Sequence, residues 1–321
     1  MTKELLILRH GKSDWGVDVD DFHRPLKDRG KRGAQRMGVY LWQKGLRPDL
    51  IIASPAERAL TTAEKCCKAM GIGTDVIHTV SNVYEAEVED LLSVLGDCPP
   101  DAKRIMLVGH NPGLESLLIY LTGNHITIPK DGKLLPTATL AHLSMPEDWH
   151  QLNRGCGQLA AITRPHGLPE KFPYPAPDGP EVRDRPAYYY TQSSVIPYRF
   201  SGSKLEILVI LSSQKKHFVV PKGIKDPGLS PQVSAAKEAF EEAGVEGRVG
   251  NDPVGTYQTK KWGATCSVVV YPMQVTRVIP EQEWEESQRG RQWVSPEEAA
   301  KRLKQPELAQ MVGDFAKQLS T

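Results

Sequence analysis

The sequence of 321 residues predicts two domains, an α/β layered sandwich followed by a smaller α+β domain. Three observations support this fold class. Short apolar runs alternate with helical patterns in the first half, a Pro-rich stretch interrupts the chain, and strand-like runs surround one long helix after it. The predicted boundaries are residues 1–163 for the first domain, 164–187 for a linker and 188–321 for the second domain.

Three short apolar runs in the first half have the composition of buried parallel strands. They cover residues 5–8, 50–53 and 105–108. Helical patterns occupy residues 30–44, 56–70 and 87–95. This alternation indicates parallel strands whose carboxyl ends share one edge of a sheet, which is where binding loops gather.

The Pro-rich stretch carries seven prolines between residues 165 and 186 and has little apolar periodicity, which predicts an extended linker. Strands are then expected at residues 188–190, 194–196, 205–211, 218–220 and 267–271. Helices are expected at residues 231–243 and from residue 296 towards 319. The second half is therefore predicted to be an α+β domain.

Composition and charge exclude several classes of protein. A net charge of +1 gives no global field for nucleic acid or an anionic membrane, so neither is an expected partner. The five cysteines are scattered and show no CxxC spacing, which argues against a zinc site or a disulfide framework. With no signal peptide and no apolar stretch of transmembrane length, a cytoplasmic location is expected.

Polar residues follow each of the three apolar runs of the first half. Arg9 and His10 follow the first, Ser54 and Arg58 the second, and His110 the third. A histidine nitrogen can attack phosphorus to form a phosphohistidine, and guanidinium groups suit phosphoryl oxygens. Taken singly, each would be an ordinary residue at the sheet rim. Because the strand ends should converge, the sequence predicts a catalytic phosphate site.

These motifs resemble the histidine phosphatase superfamily, and the short first domain is similar to its SixA-type phosphohistidine phosphatases. The resemblance is carried by Leu8-Arg9-His10-Gly11, Ser54-Pro55 with Arg58-Ala59, and Gly109-His110-Asn111-Pro112. It implies His10 as the nucleophile and Arg9, Arg58 and His110 as the phosphate pocket. The acidic proton donor of larger members has no clear counterpart, and Glu85 is a weak candidate. Substrates with good leaving groups, such as phosphohistidine or a diphosphate, are therefore expected.

Three glutamates of the second half, Glu238, Glu241 and Glu242, share one face of the helix expected at residues 231–243. Their mutual repulsion is relieved by a hard divalent cation such as Mg²⁺ or Mn²⁺. Gly223, in the preceding loop, offers a backbone carbonyl as a further ligand. The predicted metal set is therefore these four residues, and a solvated charged helix face is the alternative.

From Gly223 to Val245 the sequence resembles the Nudix box, which implies a Nudix-like α/β/α sandwich over about residues 190–318. The position of the first box glutamate holds Leu229, and that of the box arginine holds Lys237. In the family these two positions resemble a supporting ion pair rather than metal ligands. Because loss of both members leaves no single buried charge unpaired, metal binding is expected to survive.

Lysines flank the predicted metal site, and Lys222, Lys260 and Lys261 are expected to bind a substrate with several phosphates. The segments around these lysines and around residues 291–294 resemble the diphosphoinositol-polyphosphate and diadenosine-polyphosphate branch of Nudix enzymes. Glu285 and Glu286 are both candidates for the general base.

Together these features predict a two-domain phosphohydrolase. The Nudix half would cleave a diphosphate bond of a nucleoside or other polyphosphate with Mg²⁺ or Mn²⁺, and the first half would act through a phosphohistidine intermediate. The alternative is a phosphohistidine protein phosphatase with a non-catalytic, polyphosphate-sensing Nudix module. The expected partners are a phosphorylated small molecule and a phosphohistidine protein.

Overall fold

The structure is a computed structural model that describes residues 2–320. The chain divides into two compact units, Met1–Pro186 and Ala187–Thr321, called here the N-terminal and C-terminal units. Both combine mixed sheets with helices, as the sequence predicted. No helix within residues 2–320 combines the length and hydrophobicity that a bilayer crossing requires.

The N-terminal unit alternates strands and helices through its first four strands and then continues with strands alone. Its strands are β1 (Lys3–Arg9), β2 (Leu50–Ala53), β3 (Ile77–Thr79), β4 (Arg104–Gly109), β5 (Leu140–Met145), β6 (Gln158–Thr163), β7 (Phe172–Tyr174) and β8 (Glu181–Arg183). Its helices are α1 (Asp28–Gln43), α2 (Glu57–Ala69), α3 (Val88–Gly96) and α4 (Gly113–Leu121). The expected strands and helices of residues 5–108 are all present, displaced by at most a few residues.

The main sheet of this unit has the order β3-β2-β4-β1-β5-β6, in which β1 to β4 run parallel. Leu5 and Ile7 of β1 pack into one hydrophobic cluster, while Leu6 and Leu8 pack into another. Since alternate strand residues face opposite sides, the sheet is covered on both faces. The carboxyl ends of β1, β4 and β2 lie side by side.

The Pro-rich segment has more structure than the extended linker that its composition suggests. The strands β7 and β8 form a hairpin, and Phe172 is 1% exposed and clusters with Val39 and Ala69. Arg32 of α1 donates hydrogen bonds to the carbonyls of residues 170 and 184, and Arg36 to those of residues 168 and 169. Prolines lack an N–H group, so these arginines supply the donors that a regular sheet would otherwise provide.

The C-terminal unit is an eight-stranded sheet with helices. Its strands are β9 (Thr191–Ser201), β10 (Lys204–Leu211), β11 (Phe218–Val219), β12 (Lys222–Ile224), β13 (Val245–Val249), β14 (Gly255–Lys261), β15 (Ala264–Val278) and β16 (Arg291–Val294). Its helices are α5 (Pro231–Ala243), α6 (Pro296–Arg302) and α7 (Pro306–Ser320).

Two layers also cover the sheet of this unit, because alternate residues of β10 enter different hydrophobic clusters. Ile207 and Val209 pack with α6 and α7, whereas Leu208 and Ile210 pack with α5. The strands β9 and β15 are parallel neighbours, and β12 pairs with β9, which brings Gly223 beside α5.

Two expectations for this half differ from the structure. Residues 188–190, expected as a strand, belong to a 3-10 turn, Ala187–Tyr190, in which Tyr190 is 1% exposed. The single C-terminal helix is divided in two before Pro306, because a residue that precedes proline avoids the helical conformation.

Candidate active sites

The N-terminal unit brings the two predicted histidines together. His10 follows β1 and His110 follows β4, and their ring centroids are 5.0 Å apart. His10 Nδ1 lies 2.7 Å from the carbonyl oxygen of Gly11, which can only accept. This contact assigns the proton to Nδ1 and leaves a lone pair on Nε2, the state that a nucleophile requires.

The surroundings of both histidines disfavour their charged forms. Burial lowers the pKa of His10 to about 4, against a raising effect of the Gly11 carbonyl, and the charges of Arg58 and Arg9 add to the lowering. Burial also lowers the pKa of His110 to about 3, with further lowering from His10 and Arg58. Both rings are therefore neutral near pH 7.

Arg9 and His110 each carry a buried nitrogen without a hydrogen-bond partner in the described residues. Arg9 donates from Nη1 to the Leu135 carbonyl at 2.8 Å, but its Nε has no acceptor. His110 Nε2 lies 2.8 Å from Ser54 Oγ, but its Nδ1 is unpartnered. Buried polar atoms are nearly always satisfied in native proteins, so these two nitrogens are candidates to bind the acceptor oxygens of a ligand.

Arg58 lies in the first turn of α2 and is 7% exposed. Thr62 ties this turn to the His10 loop, since its Oγ1 accepts the Gly11 N–H at 2.9 Å and donates to the Arg58 carbonyl at 2.6 Å. All four predicted residues of this site therefore lie at adjacent ends of β1, β2 and β4.

Asp21 is a residue of this site that the sequence did not reveal. Its carboxylate accepts hydrogen bonds from Arg58 Nη2 at 2.7 Å, Arg24 Nη1 at 2.7 Å and the Tyr84 hydroxyl at 3.0 Å. Burial raises the pKa of Asp21, but these donors outweigh it and leave the pKa lowered. Asp21 is thus an ionised group that fixes Arg58.

The proton-donor candidate Glu85 is exposed, with a φ of +52°.

In the C-terminal unit, Gly223 lies directly against Glu238. A Cβ atom on Gly223 would stand 2.0 Å from the Glu238 carboxyl, so a larger residue there would force the Glu238 side chain to move. Within residues 2–320 the Glu238 carboxylate makes no hydrogen bond or ion pair. Burial, followed by the charges of Glu242 and Glu241, raises its pKa to about 7, against a lowering effect of Lys237. A buried carboxylate in this state is the kind of group that a cation stabilises.

The carboxylate of Glu242 has two partners. Arg289 Nη1 lies 2.6 Å from its Oε1, and the backbone N–H of Lys222 donates to its Oε2 at 3.0 Å. Arg289 is 5% exposed and also contacts Glu286 Oε2 at 2.9 Å and the Leu211 carbonyl through Nε. Burial raises the pKa of Glu242, while Arg289 and Lys222 oppose that rise. Arg289 belongs to no recognisable motif in the sequence, so the sequence did not predict its contact with Glu242.

Glu241, the third predicted metal ligand, is more exposed and lies 3.9 Å from Lys237 Nζ. In the part of the chain that the structure describes, no three His, Cys, Asp or Glu side chains converge as a ready metal centre. The reason is that Glu242 and Glu241 face the cationic side chains of Arg289 and Lys237. The donor set is nevertheless all oxygen, which is the type that Mg²⁺ and Mn²⁺ prefer.

The three predicted substrate-binding lysines are placed differently. Lys222 is half-buried and donates to Gln192 Oε1 at 3.3 Å; burial lowers its pKa, Lys261 lowers it further, and Glu242 opposes them. Lys222 contacts Glu242 through its backbone N–H, and Lys261 is an exposed neighbouring charge of Lys222. Lys260, the residue before Lys261 in β14, is also exposed. Because consecutive strand residues point to opposite faces of a sheet, the side chains of Lys260 and Lys261 point in opposite directions.

Of the two base candidates, Glu286 is half-buried and contacts Arg289, while Glu285 is exposed. The sequence alone did not distinguish them. Their different positions follow from the short 3-10 turn Ser287–Arg289, which directs Arg289 into the unit.

Comparisons with known proteins follow the same division of the chain. The family model of the histidine phosphatase superfamily (branch 1) matches residues 5–91, and that of the NUDIX domain matches residues 191–315. Nudix hydrolase 12, mitochondrial, of Arabidopsis thaliana is 30% identical and covers 36% of this chain. Diphosphoinositol polyphosphate phosphohydrolase 3-beta of Bos taurus is 33% identical and covers 30%. The chain spans 69% of the first relative's length and 60% of the second's.

A solved structure of the protein histidine phosphatase SixA complexed with tungstate is similar to the first half. It is 19% identical, covers 51% of this chain and 98% of its own, and has a TM-score of 0.44. The predictions of both families, and of an enzyme of phosphate hydrolysis, are confirmed by the two family matches. The chain therefore belongs to the Nudix hydrolases through its C-terminal half and carries a histidine phosphatase domain in its N-terminal half.

Proposed function

We propose that the protein is a phosphohydrolase with two different active sites on one chain. The C-terminal unit would cleave a diphosphate bond in a polyphosphorylated compound with the help of Mg²⁺ or Mn²⁺. The N-terminal unit would remove a phosphoryl group through a phosphohistidine on His10. The observation that carries this proposal is the neutral, Nδ1-protonated His10 beside the unpartnered buried nitrogens of Arg9 and His110.

In the N-terminal site, His10 Nε2 would attack phosphorus, so that a P–N bond forms while the bond to the leaving group breaks. Water would then cleave the P–N bond, releasing inorganic phosphate and restoring neutral His10. Arg9, Arg58 and His110 would hold the phosphoryl oxygens throughout. Because Asp21 is ionised and engaged by Arg58, it does not act as the acid, which favours substrates whose leaving group needs little protonation.

In the C-terminal site, Gly223, Glu238, Glu241 and Glu242 would hold the cation. When bound, that cation supplies positive charge to the oxygens of a diphosphate. Lys222 and Lys261 would bind further phosphates. Glu286 is the better placed base candidate because Arg289 links it to Glu242.

The substrate of the C-terminal site is proposed to combine a diphosphate with an organic group. A cavity of about 270 Å³ next to Lys222 is lined by side chains that include Phe218, Tyr257, Thr259 and Leu308. The cavity offers both apolar and polar walls, and the similarity to a diphosphoinositol polyphosphate phosphohydrolase supports a polyphosphate. The N-terminal site would take a phosphohistidine protein or a small phosphorylated molecule.

One observation favours a second candidate function. Arg289 forms an ion pair with Glu242, and Leu229 lies at the position where the Nudix box has its first glutamate. These features support a phosphohistidine protein phosphatase whose C-terminal unit binds a polyphosphate without cleaving it. Tight binding of diadenosine tetraphosphate without product formation, alongside phosphatase activity that requires His10, would identify this function.

The test is a product-release screen with Mg²⁺ on the wild type, His10→Ala and Glu242→Gln, which follows nucleotides from the dinucleotide substrate and inorganic phosphate from the others. Diadenosine tetraphosphate, a diphosphoinositol polyphosphate and a phosphohistidine peptide serve as substrates. We expect Glu242→Gln to lose cleavage of the diphosphates and to keep dephosphorylation of the peptide, with the reverse for His10→Ala. Unchanged diphosphate cleavage in Glu242→Gln would contradict the metal assignment.

A further inference from the structure

We infer that Asp226 is a positioning residue of the C-terminal site, which keeps Lys237 from pairing fully with Glu241, one of the glutamates that would bind the cation. Asp226 thereby takes the place of the missing acidic side chain at Leu229. This inference rests on the proposed metal site at Glu238, Glu241 and Glu242.

The ion pair between Asp226 and Lys237 is visible in the structure. Lys237 Nζ lies 3.3 Å from Asp226 Oδ2 and 3.9 Å from Glu241 Oε1. The Asp226 side chain is 16% exposed, and that of Lys237 is 48% exposed. The sequence suggested that both members of the supporting pair were lost. The acidic member is instead supplied from three positions earlier in the chain.

The loop between β12 and α5 fixes Asp226 in this position. The backbone N–H of Asp226 donates to Ser234 Oγ at 3.2 Å, which ties the loop to the first turn of α5. The Asp226 carbonyl accepts the N–H of Leu229 at 3.2 Å, which closes a turn. The turn leaves the uncharged Leu229 side chain 37% exposed. An acidic side chain at residue 226 therefore points to Lys237 without any need for one at 229.

Lys237 has a competing partner on its own helix. Glu241 is four residues further along α5, the spacing at which a lysine and a glutamate on a helix surface attract each other. Without Asp226, Lys237 would move wholly to Glu241 and would lie beside Glu238. A cation would then have to displace the ammonium group before it could bind the carboxylates.

The test is the Kd of the full-length protein for Mn²⁺. It is measured from the decrease of the free-ion electron paramagnetic resonance signal as Mn²⁺ binds. We expect Asp226→Asn to raise the Kd for Mn²⁺ by roughly three- to fivefold, the upper part of the range that exposed ion pairs give. Asp226→Glu should keep the wild-type Kd within about twofold. The double variant with Asp226→Asn and Lys237→Met should return to it, because no ammonium group is left to misplace.

The matched control is Asp252→Asn, which removes an exposed acidic residue elsewhere in the same unit. An equal loss of Mn²⁺ affinity in this control would show that the effect comes from the overall charge of the unit, and it would overturn the inference. An unchanged Kd in Asp226→Asn would also overturn it. So would a double variant whose Kd for Mn²⁺ stays as high as that of Asp226→Asn. Glu242→Gln separates the two claims. If the wild type binds Mn²⁺ and Glu242→Gln does not, the metal site stands, and a failure at Asp226 concerns Asp226 alone. A wild type that binds no Mn²⁺ would overturn both.

Discussion

At the scale of single residues, His10 and His110 make the stability of the N-terminal unit depend on pH. Their pKa values fall from an ordinary 6.5 to about 4 and about 3 in the folded protein, first of all because they are buried. Between pH 6.5 and pH 4 the unfolded chain therefore binds more protons than the folded one. The free energy of unfolding is therefore unaffected by these two histidines above pH 6.5. As the pH falls below 6.5, it decreases by up to about 1.4 kcal/mol per pH unit for each histidine.

We therefore expect the free energy of unfolding of the wild type to fall more steeply between pH 6.5 and 4.5 than that of a double variant with His10→Asn and His110→Asn. Urea denaturation at several pH values measures this difference. His150→Asn, which replaces an exposed histidine, is the control and should keep the steep wild-type slope. Parallel slopes in the wild type and the double variant would show that the two histidines do not titrate in this window.

The residues of both sites differ in how far the sequence could predict them. Arg9, His10, Arg58 and His110 follow strands or begin a helix, and parallel strand ends must meet at one edge, so local patterns were enough to predict that these side chains lie together. Asp21 lies 37 residues from Arg58 in a loop without periodicity. Its contact depends on how that loop folds back, which no local pattern specifies. Arg289 and Asp226 were missed for the same reason.

At the scale of elements, α5 was predicted with its bounds because both of its ends carry strong signals. Ser230 Oγ accepts the Val233 N–H at 3.2 Å, and Pro231 occupies the first turn. Gly244 ends the helix with a φ of +59°. Residues 188–190, expected as a strand, and the Pro-rich segment, expected as an extended linker, differ from their predictions, since aromatic packing and arginine donors from distant residues decide their conformations.

Gly244 also packs closely against the Trp284 ring, which leaves little space for a side chain at residue 244. A Cβ atom there would lie 2.6 Å from the Trp284 ring, whose Nε1 donates to the Glu241 carbonyl at 3.1 Å. Gly244→Ala combines an unfavourable φ, of roughly 1–2 kcal/mol, with overpacking of a similar or larger size. Urea unfolding followed by tryptophan fluorescence should show this destabilisation.

Gly202→Ala is the matched control, because Gly202 has a φ of +62° and open space where its Cβ would be. It should be destabilised by the unfavourable φ alone and thus clearly less than Gly244→Ala. If the two variants lose equal stability, then Trp284 moves aside and does not constrain the end of α5.

At the scale of the whole molecule, the chain carries two separate hydrophobic cores, and each of the two units has its own candidate site. Two hydrophobic clusters cover the sheet of the N-terminal unit, and two others cover that of the C-terminal unit. The sequence predicted this division because each half has its own alternation of apolar runs and its own phosphate motif. It did not predict the partners of the charged groups, which depend on tertiary contacts within each unit.

The two proposed sites predict two independent ligand effects on thermal stability. A ligand that binds only the folded state stabilises it by mass action, by about 2.7 kcal/mol at a concentration of one hundred times its Kd. We expect Mn²⁺ to raise the unfolding temperature of the full-length protein through Glu242, and inorganic phosphate to raise it through Arg58. In scanning fluorimetry, Glu242→Gln should lose the Mn²⁺ shift and keep the phosphate shift, and Arg58→Ala should show the reverse. A Mn²⁺ shift that survives unchanged in Glu242→Gln would show that the cation binds away from Glu242, because the loss of one charged ligand should weaken a site built on that carboxylate.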